Sequence, residues 1–537
     1  MSSKELPRRH THADRRAMTP KSGRRHGPDV VVPTSAAGNA SRLLALAIAA
    51  ALPAAASAGP PGLRNHADVR IFPAWVTSGT ATSATHSPQS PAQVRVVTNC
   101  DDAGPGSLRD TLAAAGTGDA IDLTGLACGS IQLSSGVLEI PANNIQLLGP
   151  GAATLAIDGG GTDRVLIDPY GFLTISGLTI RNGADRSSGF NLAGGGCIAM
   201  AGEVQLIDSV VSGCLAAGEG AYGGALYAYA LTMQRSVLAD NTAYGYLPGT
   251  GTAANGGGAF VYQASIQDST ISGNVASHYP DAPRSYYDVG GGIMVVRGGV
   301  IENSTFSNNR AGSRGGAINS LGPLAVSNST LAENTCLGGR GGALYLRGKA
   351  HLSLNNATIS ANQAAEGGGV HLGTDAADIT SNIVYGNRAT SVADSDNWSA
   401  TTALVLKGNH NLVGVGYNGL TLPADTLAAD PLLRSLGDYG GATRTMALTI
   451  GSPALDAGSN PFQLPYDQRG PGHARVLGPA ADIGAFEGAV APPAIPVPAL
   501  QNRFAMVLAG LVFTLGLYRP RTIRARRRLR RGAAPRH

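Results

Sequence analysis

The chain has 537 residues, 74 of them glycine, about twice average usage, and 43% of its residues are apolar. Its formal charge of +5 is unevenly spread: residues 1–58 hold nine Lys/Arg and three acids, 503–537 hold ten Arg and no acid, and 59–502 hold 21 basic and 32 acidic residues. An acidic body argues against nucleic acid as a partner, which needs clustered Lys/Arg, and apolar residues in short β-branched runs exclude a disordered chain.

Residues 1–58 read as an export signal. A basic region reaches Arg42, an apolar run "LLALAIAAALPAAASA" follows, and Ala56-Ser57-Ala58 marks cleavage after Ala58. The basic region is long enough to make Met18 an alternative start. The pairs Arg15-Arg16 and Arg24-Arg25 lack the apolar residues that follow a twin-arginine signal, so general secretion is the expected route. Residues 59–93 form a Pro/Ser/Thr-rich linker. Cys100, Cys128, Cys197 and Cys214 are candidate disulfide cysteines of an exported chain, with Cys336 left over and the pairing open. The segment "PGSLRDTLAAAG" has helical composition and precedes the repeats, where it can cover their first open end.

Residues 94–400 carry two interleaved series. The second glycine of a doublet recurs at Gly196, Gly224, Gly258, Gly292, Gly316, Gly342 and Gly369, each followed by small or aliphatic residues. The other series, "DSVVSGC", "RSVLADN", "DSTISGN", "NSTFSNN", "NSTLAEN", "NATISAN" and "SNIVYGN", ends at Cys214, Asn241, Asn274, Asn309, Asn334, Asn362 and Asn387. Periods near 27 residues with β-branched runs too short for helices predict an all-β chain, a parallel β-helix whose coils stack ~4.8 Å apart. Glycine doublets suit corners that need positive φ, and asparagine tolerates the left-handed region, so both series are expected at corners.

The "GGAI/GGAL … S-x-[IV]-x-x-N" pattern resembles the repeats of polymorphic outer-membrane proteins and other bacterial exported β-helix surface proteins of the pectin-lyase-like superfamily. The opening "VRVVTNCDDAGPGSLRDTLAAAGTGDAIDL" resembles their amino-terminal segment. Residues 401–488 are similar to a choice-of-anchor Q region, through "GNHNLVG", "DPLLRSLGDYGGATRTMAL", "GSPALDAGSN", "DQRG" and "DIGAFE". The resemblance implies a right-handed coil completed by an anchor-associated cap. It also implies a sorting signal: a Pro-rich linker (489–502) bearing the IPTL-like "IPVPAL", an apolar segment (503–518) and an Arg-rich tail (519–537). Gln501-Asn502-Arg503 stand where that signal usually has "SEWG". Fifteen apolar helical residues span ~22 Å, short for a bilayer, but the arginines would stay cytoplasmic and place 59–502 outside.

Catalytic chemistry finds no complete motif. Asp101-Asp102 are adjacent and would point to opposite faces of a strand; Arg347 and Lys349 stand at a corner; Asp394 to Asn397 lack full calcium-ligand spacing. His351 and His371 read as face or corner residues of adjacent coils. In the anchor-like region Asp456, Asp467, Arg469, Asp482 and Glu487 read as charge pairs pinning turns, with a carboxylate site as the functional alternative. No catalytic, metal or cofactor residue is assigned, and no GxxxxGK[ST] phosphate loop exists. Exposed strand faces carrying Tyr227, Tyr229, Tyr262 and Tyr345 suggest surface glycans or other envelope proteins as partners. The expectation is a non-catalytic cell-surface scaffold, adhesin or glycan-binding stalk, exported, sorted and membrane-held through its carboxy terminus. The alternative is a polysaccharide lyase or glycoside hydrolase acting in a β-helix groove.

Overall fold

The computed structural model describes residues 92–168, 171–187, 193–245, 253–278, 288–348, 350–374 and 376–491. Ala58, Lys349, the apolar segment 503–518 and the arginine-rich tail lie outside the described residues. Within them, every strand pair is parallel, as a coil that returns over itself requires. Three short faces make each coil. The widest carries two ladders, which fuse in the long strands Leu226–Gln234, Ala259–Gln267 and Ile293–Glu302. A second face stacks eleven strands from Ser130–Gln132 to Leu412–Val413, and a third stacks eight from Ala184–Asp185 to Arg388–Ala389.

Like residues stack on like. Ile198, Leu226, Ala259, Ile293, Ile318, Leu344, Val370 and Trp398 share one register column and are all fully buried. Burying such a column supplies the apolar driving force that three-residue strands could not raise alone. A helix, α1 (Leu108–Ala113), starts at Ser107, whose Oγ accepts from the Asp110 amide, and buries Leu108 and Leu112 in the core of the amino-terminal coils.

The asparagine series does something other than turn corners. The left-handed residue sits one position earlier, at Asp240, Asn308, Glu333 and Ala361, or at a glycine. The recurring Asn241, Asn274, Asn309, Asn334, Asn362 and Asn387 instead point inward and form a ladder. Asn334 Nδ2 donates to Asn362 Oδ1 at 2.9 Å and to Phe306 O at 2.9 Å, while its Oδ1 accepts from Asn309 N and Nδ2. A parallel ladder of Ser209, Ser236, Ser269, Ser304 and Ser329 lies five residues upstream in each coil; from Ser236 on, each hydroxyl accepts from the serine amide of the preceding coil, and that of Ser209 accepts from the Leu178 amide. Buried polar groups at both ends of each second-face strand are thereby satisfied by the neighbouring coils.

The glycine register is also corrected. Positive φ falls on Gly195, Gly223, Gly256, Gly290, Gly315, Gly341 and Gly367, one residue before Gly196, Gly224, Gly316 and Gly342 but two before Gly258, Gly292 and Gly369. Pairing then aligns Gly196, Gly224, Gly257, Gly291, Gly316, Gly342 and Gly368, so Gly258, Gly292 and Gly369 belong one column on, where Cys197 and Ala343 also occur. The second column needs glycine for space rather than φ: a Cβ on Gly342 would lie 1.9 Å from Gly368 O.

Cys100 is bonded to Cys128 and Cys197 to Cys214, while Cys336 is free and buried. Cys214 heads the asparagine column, its amide donating to Asn241 Oδ1. Coil pairing runs past residue 400 to Leu427, which pairs in parallel with Leu412 on the second face. The rest of the region 401–488, expected as a cap, instead forms a strap along the outside of the second face, running on to residue 491. Thr443 and Arg444 reach the coil of Asn303 and Thr305, Tyr466 that of Asn328, Ser459 that of Asn356, and Gly484 that of Ser381. Under it, outward residues such as Thr305, Thr330 and Thr358 become buried, where equivalents Val210, Val237 and Thr270 remain partly exposed.

Candidate functional site

Two polar constellations stand out, one under the strap and one along the glycine corner. Under the strap, Asp467 lies fully buried, accepting from the Arg469 amide at 2.9 Å, from its guanidinium at 2.6 Å, and from the Glu487 amide at 2.8 Å. Glu487 accepts from the amides of Leu477 and Asp482, and Asp482 from those of Asp456 and Gly488. Arg475, 1% exposed, donates to Asp482 O at 2.5 Å and lies 3.8 Å from Glu487. The Arg469 guanidinium covers the Phe486 ring at 3.8 Å. Burial pushes Glu487 up to about 7 and Asp482 upward, against the main-chain donors that oppose it. Of the five sequence-singled residues, four thus converge; Asp456 contributes its amide, and its own side chain is exposed at a left-handed turn. These carboxylates hold backbone, which fixes the strap's turns.

The glycine corner is re-entrant, because side chains on its two sides meet outside the coil. One wall stacks Tyr222, Asn255, Val289, Arg314, Arg340 and Glu366, each immediately before the positive-φ glycine. The floor stacks Tyr227, Phe260, Met294, Asn319, Tyr345, His371 and Ser399. In the amino-terminal half, Tyr227 stacks on Phe260 with centroids 5.6 Å apart, and Tyr222 meets Phe260 edge-on at 5.1 Å. The expectation of an exposed tyrosine face is corrected here. Tyr227, Tyr262 and Tyr345 are buried and Tyr229 is half-buried, because outward rings on successive rungs stack on each other.

The carboxy-terminal half is polar. His371 is fully buried and stacks on Tyr345 at 5.1 Å. Its Nδ1 lies 2.6 Å from Ser399 Oγ and 3.5 Å from Glu366 Oε1, and its Nε2 lies 3.1 Å from the hydroxyl of exposed Thr401. Arg340 Nε donates to Glu366 at 2.7 Å, and the Arg314 guanidinium stands 5.5 Å from the Tyr345 ring. Burial, and then the charges of Arg340 and Arg314, hold His371 down to about 3, so the ring is neutral. Sequence reasoning found His371, Tyr345 and Arg347 but missed Arg314, Arg340 and Glu366. Their signal was the recurrent charged residue directly before the glycine run.

The other singled residues do not join either group. Asp102 binds Arg109 and the Ser134 and Ser135 amides at the amino-terminal end, Asp101 is exposed, His351 pairs with Asp378 at 3.3 Å, and Asp396 accepts from Ala389 N. Among the described residues no three His, Cys, Asp or Glu side chains converge as a metal site, and no helix is long and apolar enough to cross a membrane.

No family model matches the chain and no curated protein matches it. Among solved structures, that of pectate lyase Pel9A aligns with TM-score 0.36 and 14% identity over 74% of this chain and 97% of that one. At that level the likeness carries no argument, and the parallel β-helix rests on its strand register.

Proposed function

We propose that this chain is an exported cell-envelope protein whose right-handed β-helix is a non-catalytic scaffold, held at the surface through its carboxy-terminal end. In this reading residues 401–488 are a choice-of-anchor Q region, and the apolar run with its arginine cluster is the sorting and membrane segment. Its partners would be envelope proteins or glycans, met outside the cell after general secretion. The observation that supports it is the state of the anchor region's acids: Asp467, Asp482 and Glu487 are each spent on main-chain amides, Asp467 also on Arg469, and Glu487 lies 3.8 Å from Arg475. Carboxylates so engaged brace a strap beside a scaffold; polysaccharide cleavage needs free acids facing a groove.

Deleting residues 499–537 should move the protein from the cell envelope to the medium with its fold intact by circular dichroism. Retention in the envelope would contradict the anchoring. Incubation of the secreted protein with acidic and neutral polysaccharides, with and without calcium, should leave chain length unchanged, and cleavage would contradict the non-catalytic reading.

A further inference from the structure

We propose that residues 495–499, Ile-Pro-Val-Pro-Ala, add as a final rung to the open edge of the strand Tyr417–Thr421 and close the carboxy-terminal end of the coil stack. The strap leaves that end without a cap. Tyr417–Thr421 pairs with Trp398–Val405 on one side, and among the described residues no strand pairs with the other. Gly416 O accepts from Trp398 N, so by strand alternation the Tyr417 amide points the opposite way, out of the stack. The apolar column that runs through Ile198 to Trp398 also ends there. Trp398 is fully buried, whereas Tyr417, next in its register, is 42% exposed and nearby Val415 is 78% exposed. An unpaired edge beside an uncovered apolar column is a template for one more strand.

The path of the chain and its proline spacing select the occupant. The strap returns to this end of the stack: Ala489–Val490 pair with Leu448–Thr449, and Leu448 packs with Leu412 and Leu427, the last rungs of the second face. Four residues lead from Ala491 to Ile495, a reach of ~13 Å, and four likewise lead from Val413 to Tyr417 across the last coil. Within residues 495–499 the prolines, Pro496 and Pro498, fall on alternate positions. Successive N–H groups of a strand point to opposite edges, so one edge keeps the donors of Ile495, Val497 and Ala499 and the other has none. Such a strand donates to one neighbour and then ends the sheet. Both its faces are apolar, so it covers Tyr417 whichever way it runs. A second copy stacked head to tail is the poorer fit, because it would bring up the amino-terminal end of the wide face. There Arg95, in the edge strand Val94–Val96, takes the inward place over Ile121 and pairs with Asp119, and a further rung would bury that charge.

The inference does not depend on whether residues 503–518 reach a membrane, so its failure and that of the anchoring are distinguishable. The test is hydrogen exchange at the Tyr417 amide in the full chain, held in detergent. Exchange about tenfold slower or more than in an Ile495→Pro/Val497→Pro variant, which lacks two of the three donors, is expected. Sedimentation should find the native protein as single chains. A Pro496→Ala/Pro498→Ala variant, whose outer edge regains two N–H donors, should associate end to end. Unchanged circular dichroism in both variants separates these effects from misfolding of the coils. Fast Tyr417 exchange in the native chain, or equal exchange in the Ile495→Pro/Val497→Pro variant, would overturn the assignment. Protection that grows with protein concentration would overturn it too, in favour of a second copy. A Pro496→Ala/Pro498→Ala chain that stays single would refute the stopping role of the prolines.

Discussion

Replacing Asn334 by alanine is the sharpest test of what holds the coils in register. The side chain sits mid-ladder, at 0% exposure, and it makes bonds to both neighbouring coils. Truncation removes its donations to Asn362 Oδ1, Phe306 O and Ala332 O, and the acceptor used by Asn309 N and Nδ2. Asn309 Nδ2 keeps Ile271 O, but the Asn309 amide loses the acceptor described for it. At roughly 1 kcal/mol net per bond, with a further 1–3 for a buried orphan and some recovery if a water enters, the loss should be about 3–5 kcal/mol. Asn308→Ala is the control: it is exposed, left-handed at φ 56°, and makes one bond to Glu333, so about 1 kcal/mol is expected. Urea unfolding gives the totals. Hydrogen exchange at the Asn309 and Thr335 amides shows whether the loss is local, as nearest-neighbour stacking requires. If Asn334→Ala costs no more than Asn308→Ala, the ladder is ornament and the aliphatic columns alone set the register.

Two further outcomes follow from the same geometry. Gly342→Ala should destabilise by more than about 3 kcal/mol, because its Cβ meets backbone, while Gly348→Ala, with open space and φ 77°, should cost about 1 kcal/mol; equal urea midpoints would refute the close-approach argument. His371 titrates near 6.5 when unfolded and at about 3 when folded, so between these values the unfolded chain binds more protons and stability rises with pH. From pH 6.5 down to 4.5 that loss is about 2–3 kcal/mol, additional to the acid loss from Asp119, which Arg95 and the Gly116 and Gln93 amides hold at about 2. A His371→Gln variant should show a flatter dependence over that interval, and an unchanged slope would mean the buried ring does not drive it.

The coil was legible in the sequence because two series repeat in phase, and stacking like on like forces such repetition. Their meaning was harder to read. The left-handed corner accepts residues as different as Asp240, Glu333 and Ala361, so the backbone demand leaves little trace. The asparagine one step later recurs because an interior hydrogen-bond ladder tolerates few substitutes, and recurrence alone does not separate that from a corner requirement. Triplets such as Gly367-Gly368-Gly369 hide their register by one residue, which only pairing with Ser395 and Asn397 resolves. Arg314, Arg340 and Glu366 come together at intervals of 26 residues through rung stacking, and no local spacing announces that. The strap has no period at all, so its path over the second face could be found only from contacts.

That path decides how the domain would carry load. A pull arriving at Ala491 meets the Ala489–Val490 pairing with Leu448–Thr449 and an Arg434 contact before it meets any coil. Behind those lie hydrogen bonds to the coils of Thr305, Asn328, Asn356 and Ser381. Tension is therefore shared sideways, in shear, among several rungs of the stack. Had the strap sat over the last coil, the same force would have peeled that coil away first and unwound the rest in turn.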